Sequence, residues 1–271
     1  MRTKASQAKA MARQSLLGHY GTASGALLLA GLMHLGFLAV YVFLDFLLGH
    51  FPVPRELRDN GRMGLMVLYY VCCTVGSLVF ATGEFCICHR ICAGKAAYKR
   101  DLFFALTCHP LGFAGLWLVW LLAGLAGLVP GGGLWLLASA WSRYMGAKPA
   151  LVLAAAGILV SLVLEFLAGT WFLAALTAVM DQVDAGDSQA YGGMSDWMGQ
   201  NGPGWRLGEC LGQGWNLMAG AGWRLWGLLP GFLGLYALGV LSMGIGFLWV
   251  VPYLFCTMVW FFRERNRPYD F

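Results

Sequence analysis

Charge is what this sequence has least of: Asp, Glu, Lys and Arg make up 11% of its 271 residues, where a soluble domain carries about 25%. So little polar surface cannot cover a globule in water, which excludes an ordinary soluble fold. Catalytic signatures are missing too. There is no phosphate-binding Gly-x-x-x-x-Gly-Lys-Ser/Thr loop, no His-Glu-x-x-His, no Gly-x-Ser-x-Gly and no Gly-x-Gly-x-x-Gly, so the residues point to no enzyme, no catalytic residue and no cofactor. Alternating segments of about ten residues are absent, which argues against a β-barrel. The eight cysteines (Cys72, Cys73, Cys86, Cys88, Cys92, Cys108, Cys210 and Cys256) lack the spacing of a secreted disulfide framework and fall mostly in apolar runs, where thiols behave as small hydrophobes. No small-residue cleavage motif follows the first apolar run, so it reads as a retained helix rather than a signal peptide.

Long apolar runs are what the chain does have, and 59% of its residues are hydrophobic. A run of roughly 18 or more reads as a membrane span. The expected fold is all-α: a polytopic transmembrane helical bundle, a single membrane domain of about six spans with short amphipathic interfacial helices. The spans are expected at 22–48, 63–89, 110–129, 150–180, 223–241 and 246–262. Residues 1–20 are basic; Arg2, Lys9 and Arg13 share one helical face, and Ala5, Ala8, Ala12 and Leu16 another. This is either a weakly amphipathic helix on the inner membrane surface or an orienting basic tail. The segment His50–Gly61 reads as a loop, Asp101–Cys108 as the start of an interfacial helix, and Pro130-Gly-Gly-Gly133 as a turn before a short interfacial stretch, Leu134–Trp141. Residues 181–204 are polar and acidic, and Asp181, Asp184 and Asp187 read as solvated. In 205–218 Leu207, Leu211, Trp215 and Met218 form a stripe that predicts a helix lying in the membrane surface. Leu241–Gly246 supplies a turn within the last apolar stretch. With six spans and an inner N-terminus, 13 of the 18 basic residues fall inside; five spans would move Arg263, Arg265 and Arg267 outside and weaken the bias. Both termini are therefore expected in the cytoplasm. The net charge of +5 reads as this topological signal plus lipid headgroup contact, not as nucleic-acid binding.

The segment Leu207-Gly-Glu-Cys-Leu-Gly-Gln-Gly-Trp-Asn-Leu-Met-Ala-Gly is followed by Trp223-Arg-Leu-Trp-Gly-Leu and then by Met243-Gly-Ile-Gly-Phe-Leu-Trp-Val-Val-Pro-Tyr253. In this order they resemble the bacterial membrane-protein family catalogued as domain of unknown function nine-seventy-five. The N-terminal segment 8–21 is similar as well. The likeness spans nearly the whole chain, with its specific motifs in the last sixty-odd residues. The Gly-rich stretch Val183–Pro203 is longer than is usual in such proteins. The resemblance implies a multi-pass protein of the bacterial cytoplasmic (inner) membrane and assigns no catalytic residue.

Three residues stand out as candidate intramembrane functional groups. Glu165 lies fifteen positions from each end of the fourth expected span, and an ionisable group at that depth is costly and by default functional. It couples protons or substrate, or it is a protonated carboxyl bonded across helices for packing. Its expected partners include His34, Glu84 and Arg90. Cys86, Cys88, His89 and Cys92, with Cys108 and His109, offer soft ligands that suit zinc or copper(I), against the plainer reading of buried inert thiols. The intraspan glycines predict close helix approach. The leading expectation is a non-catalytic accessory, assembly or lipid-contacting membrane component, with membrane lipids, other membrane proteins or a second copy as partners. The alternative is a small transporter or permease-like protein using a midplane carboxylate.

Overall fold

The computed structural model describes residues 5–50, 54–108, 110–145, 147–186, 207–219, 224, 227–228 and 230–266. Every regular element among them is helical. In chain order these are α1 (Ala5–Leu16), α2 (Tyr20–His50), α3 (Arg55–Cys92), a 3-10 turn (Lys99–Phe103) and α4 (Phe104–Thr107). They continue with α5 (Pro110–Met145), α6 (Ala147–Gly186), α7 (Leu207–Met218), α8 (Pro230–Leu241) and α9 (Phe247–Asn266). Four helices are long and apolar enough to cross a membrane: Tyr20–His50, Arg55–Cys92, Pro110–Trp141 and Lys148–Val183. The chain divides into two compact units. One comprises Met1–Cys108 with Arg224–Glu264, the other His109–Trp223 with Arg265–Phe271.

In the first unit α2 and α3 form an antiparallel hairpin. Burial is confined to one end of it. On α2 only Ala23, Ala26 and Ala30 are buried. On α3 burial begins at Val79 and runs to Cys92 with only Ala81 exposed. The free end carries exposed Leu, Val and Phe, among them Leu35, Phe43, Phe46 and Val67. From Leu32 to His50 and from Arg55 to Val75 each arm measures about 20 residues, or ~30 Å, the thickness of a bilayer's hydrocarbon. At the buried end α1 inserts Ala8, Ala12 and Leu16 into the core at 0–1% exposure. The predicted apolar stripe of this helix is therefore correct, but protein covers it rather than the membrane surface. Its basic face also meets aromatic rings: Lys9 lies 4.8 Å from the Phe232 centroid and Arg13 5.5 Å from that of Tyr253.

Two prolines sit inside helices for different reasons. Pro252 in α9 has no N–H, so the Leu248 carbonyl loses its usual partner; the Ser24 hydroxyl on α2 donates to it instead at 3.0 Å. Pro130 was expected in a turn. Instead α5 runs through it to Met145, and the stretch Leu134–Trp141 is part of the same helix. The following glycine explains why: a Cβ on Gly157 of α6 would lie 2.8 Å from the Gly131 carbonyl oxygen. The glycine run serves helix–helix approach. The expected turn before α9 is present. Met243 has φ 54° and Gly244 φ 93°, and the Ser242 hydroxyl accepts the Gly246 N–H at 2.8 Å.

The second unit is the α5–α6 hairpin with α7 laid along α6. The acidic segment expected to be a loop from residue 181 stays helical to Gly186. Contacts with α7 explain this: Gln182 donates to Gln213 at 3.2 Å and accepts from the Cys210 thiol at 3.3 Å. Residues 187–206, with Asp187, lie outside the described residues. On α7 the face turned into the protein is Cys210, Gly214 and Leu217, and Trp215 of the expected stripe is 60% exposed. Periodicity located an apolar helix, but the face that packs is set by glycine. Gly214 meets Ala175 so closely that a Cβ would fall 2.8 Å from its backbone nitrogen.

Candidate functional site

Glu165 projects from the middle of α6 onto α5. A Cβ on Gly124 would lie 3.2 Å from its Oε2, and one on Gly127 3.5 Å from its Oε1. One turn away the Ser161 hydroxyl donates to the Gly127 carbonyl at 3.4 Å. The half-buried carboxyl thus fills space vacated by two glycines. This small-residue seam, Gly124, Gly127 and Gly131 against Gly157, Ser161 and Glu165, holds the hairpin together.

The other expected members find their surroundings within the first unit. His34 Nδ1 meets the Ala30 carbonyl at 2.9 Å and Nε2 meets the Ser77 hydroxyl at 2.8 Å. A carbonyl only accepts, so Nδ1 carries the proton, and in the neutral ring Nε2 accepts from Ser77. The ring also packs edge-on against Phe80, with centroids 5.3 Å apart. His34 is thus a clasp between α2 and α3. Arg90 binds Asp101 at 3.0 Å with both side chains under 10% exposed. Glu84 is different. It is 2% exposed, and neither carboxyl oxygen has a hydrogen-bond partner among the described residues.

The cysteines divide by helical face. Cys88 and Cys92, one turn apart on α3, face α9. The Cys88 thiol points to the Pro252 carbonyl and the Cys92 thiol to that of Cys256, both at 3.8 Å, while the Cys256 thiol points back to the Cys88 carbonyl at 3.9 Å. Cys86 and His89 are buried as well. Cys108 ends α4 half-exposed, and His109 lies outside the described residues. All eight cysteines are free thiols. Among the described residues no three His, Cys, Asp or Glu side chains are grouped as a metal ion requires. Sequence reasoning did not find Cys256 as the partner of Cys88 and Cys92, because the pairing is across helices and leaves no periodic signal.

Outside the spans, burial beside α6 pushes the Cys210 thiol up to about 11, with Glu209 adding to the shift. A shallow groove of about 410 Å³ lies between the arms of the α2–α3 hairpin, lined only by Leu and Gly, including Leu44, Leu48, Gly61 and Leu65. Near it Arg62 pairs with Asp45 at 3.0 Å. Comparison with family models, curated proteins and solved structures finds no match. The fold and these sites define an α-helical bundle with, among the described residues, four apolar helices of membrane-crossing length.

Proposed function

We propose that this chain is a non-catalytic integral membrane protein of the bacterial cytoplasmic membrane, an accessory or assembly component that acts through helix–helix and lipid contacts. The observation that carries this reading is the seating of Glu165: its carboxyl packs on the Gly124 and Gly127 backbone of a neighbouring helix. In a transport site such a group would line a hydrated cavity. The exposed apolar arms of both hairpins support the same reading, because their side chains suit acyl chains or another membrane helix. Six spans are part of the proposal. The turn at 242–246 separates two apolar helices, and the excess of basic residues in the proposed inner segments favours cytoplasmic termini. The resemblance to the uncharacterised bacterial membrane family is consistent with this topology.

A second reading has one observation in its favour. Glu84 is fully buried with both oxygens unpartnered among the described residues, as a carboxyl that binds a transported proton or cation would be before loading. Purification of the intact protein from its native membrane, with mass spectrometry of what co-purifies, separates the two. Stoichiometric lipid or a membrane-protein partner is expected. Solute uptake by vesicles containing the protein alone, abolished by Glu84→Gln, would establish the second reading instead.

A further inference from the structure

Three thiols converge where α3 and α9 touch. Cys88 and Cys92 lie one turn apart on α3, as do Pro252 and Cys256 on α9. The two turns run side by side: the Cys88 thiol meets the Pro252 carbonyl and the Cys92 thiol that of Cys256. From the other side the Cys256 thiol reaches the Cys88 carbonyl at 3.9 Å. Each of these short side chains therefore already spans the gap between the helices. The sulfurs also meet one another, because the Cys256 thiol is hydrogen-bonded to the thiols of both Cys88 and Cys92. From such contact roughly 2 Å of closure makes an S–S bond. Packing alone would be served as well by alanine, which brings no such contact.

Cys256 is the hub, since it bonds to both of the others. It is 0% exposed, as is Cys88, while Cys92 is 6% exposed. Cys92 is the last residue of α3, and the half-buried Ser15 of α1 hydrogen-bonds to it. A water-sized reagent entering at this edge meets Cys92 first. A bulky one is shut out.

We propose that Cys92, Cys256 and Cys88 form a dithiol–disulfide site oxidised by hydrogen peroxide, with Cys256 as the obligatory member of the bond. In the first step the Cys92 sulfur attacks one peroxide oxygen. The O–O bond breaks, the departing hydroxide leaves as water with the thiol proton, and Cys92 becomes a sulfenic acid. In the second step the Cys256 sulfur attacks the Cys92 sulfur. The S–O bond breaks, and its hydroxide leaves as a second water with the Cys256 proton. Two thiols are oxidised and one peroxide is reduced. Burial slows the first step, because the thiolate is the nucleophile; the placement of Cys256 speeds the second. Cys88 then exchanges into the bond by attacking Cys256, its proton passing to Cys92, which regains its thiol. Either bond ties α9 covalently to α3.

The test uses the full chain in bilayers, exposed to millimolar hydrogen peroxide. Free thiols are then blocked with N-ethylmaleimide in denaturant, and cross-linked peptides are mapped by mass spectrometry without reduction. The wild-type chain should carry a disulfide joining Cys256 to Cys92 or Cys88, and glutathione disulfide at the same concentration should leave all three thiols free. Cys92→Ala should keep the Cys88–Cys256 bond and Cys88→Ala the Cys92–Cys256 bond. Cys256→Ala should lose both, and its Cys92 should instead be trapped by dimedone as the sulfenic acid. The wild-type map needs no variant to fold. Recovery of Cys88, Cys92 and Cys256 fully alkylated, at a peroxide dose that oxidises the exposed Cys72, would overturn the proposal. A Cys88–Cys92 bond in Cys256→Ala, or equal oxidation by glutathione disulfide, would overturn it as well.

Discussion

Gly214→Ala should detach α7 from α6, whereas Gly212→Ala, two residues away on the same helix, should not. A Cβ at position 214 would meet the Ala175 nitrogen at 2.8 Å and its Cα at 2.9 Å. Comfortable contact needs about 3.5–4.0 Å. These neighbours are backbone of a 40-residue helix, so α7 itself must move, by about 1 Å. Overpacking of this kind costs about 1–3 kcal/mol, offset by about 1 kcal/mol because alanine favours helix over glycine. Position 212 has nothing within 4 Å of its Cβ position, and only the favourable propensity applies there. The Gly214 variant should thus be less stable than the Gly212 variant by about 1–3 kcal/mol, since the propensity gain cancels. Cys210 reports the detachment directly. Its thiol is fully buried against Gln182, so iodoacetamide should label it slowly in the wild type and in Gly212→Ala, and quickly in Gly214→Ala. Peptide-resolved mass spectrometry distinguishes Cys210 from the other seven cysteines. Equal labelling of the two variants would refute the claim that α7 is docked through Gly214.

Cys210 also gives a pH signature. With its thiol pushed up to about 11 and the thiolate the reactive form, its alkylation rate should still be climbing near tenfold per pH unit at about pH 9–10, where an ordinary thiol has levelled off near its pKa of about 8.5; a plateau below pH 9 contradicts the buried environment. Arg90→Ala leaves Asp101 buried without its ion-pair partner and should cost about 3–5 kcal/mol in unfolding free energy, while Arg90→Met with Asp101→Leu should recover most of it. Glu165→Gln keeps the shape that fills Gly124 and Gly127 and should change stability by less than about 0.5 kcal/mol. A large loss on unfolding would show that the ionised carboxylate has a specific role.

Composition and run length together were enough for the class of fold: a backbone in apolar surroundings is satisfied only in helices or a closed β-barrel, and the alternating segments of a barrel are missing from the sequence. Periodicity was enough for the Ala8, Ala12 and Leu16 face of α1, since a four-residue repeat of small apolar groups is a local property. Chain chemistry likewise marked the turn at Ser242–Gly246. The misread features share a cause. Pro130-Gly-Gly-Gly133 has turn composition, yet the close approach of Gly157 across the hairpin keeps it helical, and that neighbour is 26 residues away in sequence. The same applies to Asp181–Gly186, held helical beside α7, and to the docked face of α7. At the candidate sites the sequence marked Glu165, Glu84 and His34 as ionisable groups within apolar runs. It could not tell them apart, because depth alone does not reveal that Ser77 satisfies His34, that glycine backbone receives Glu165, or that Glu84 is left without a partner among the described residues.

The central claim is that the free arms of the two hairpins are buried in lipid. Nitroxides placed singly at Val40, Val67, Leu125 and Leu159, all exposed on the apolar stretches of α2, α3, α5 and α6, test it in protein reconstituted into bilayers. At all four positions relaxation should be enhanced strongly by oxygen, which partitions into hydrocarbon, and weakly by a water-soluble nickel chelate. Dominant enhancement by the chelate at these sites would place the arms in water and contradict the account.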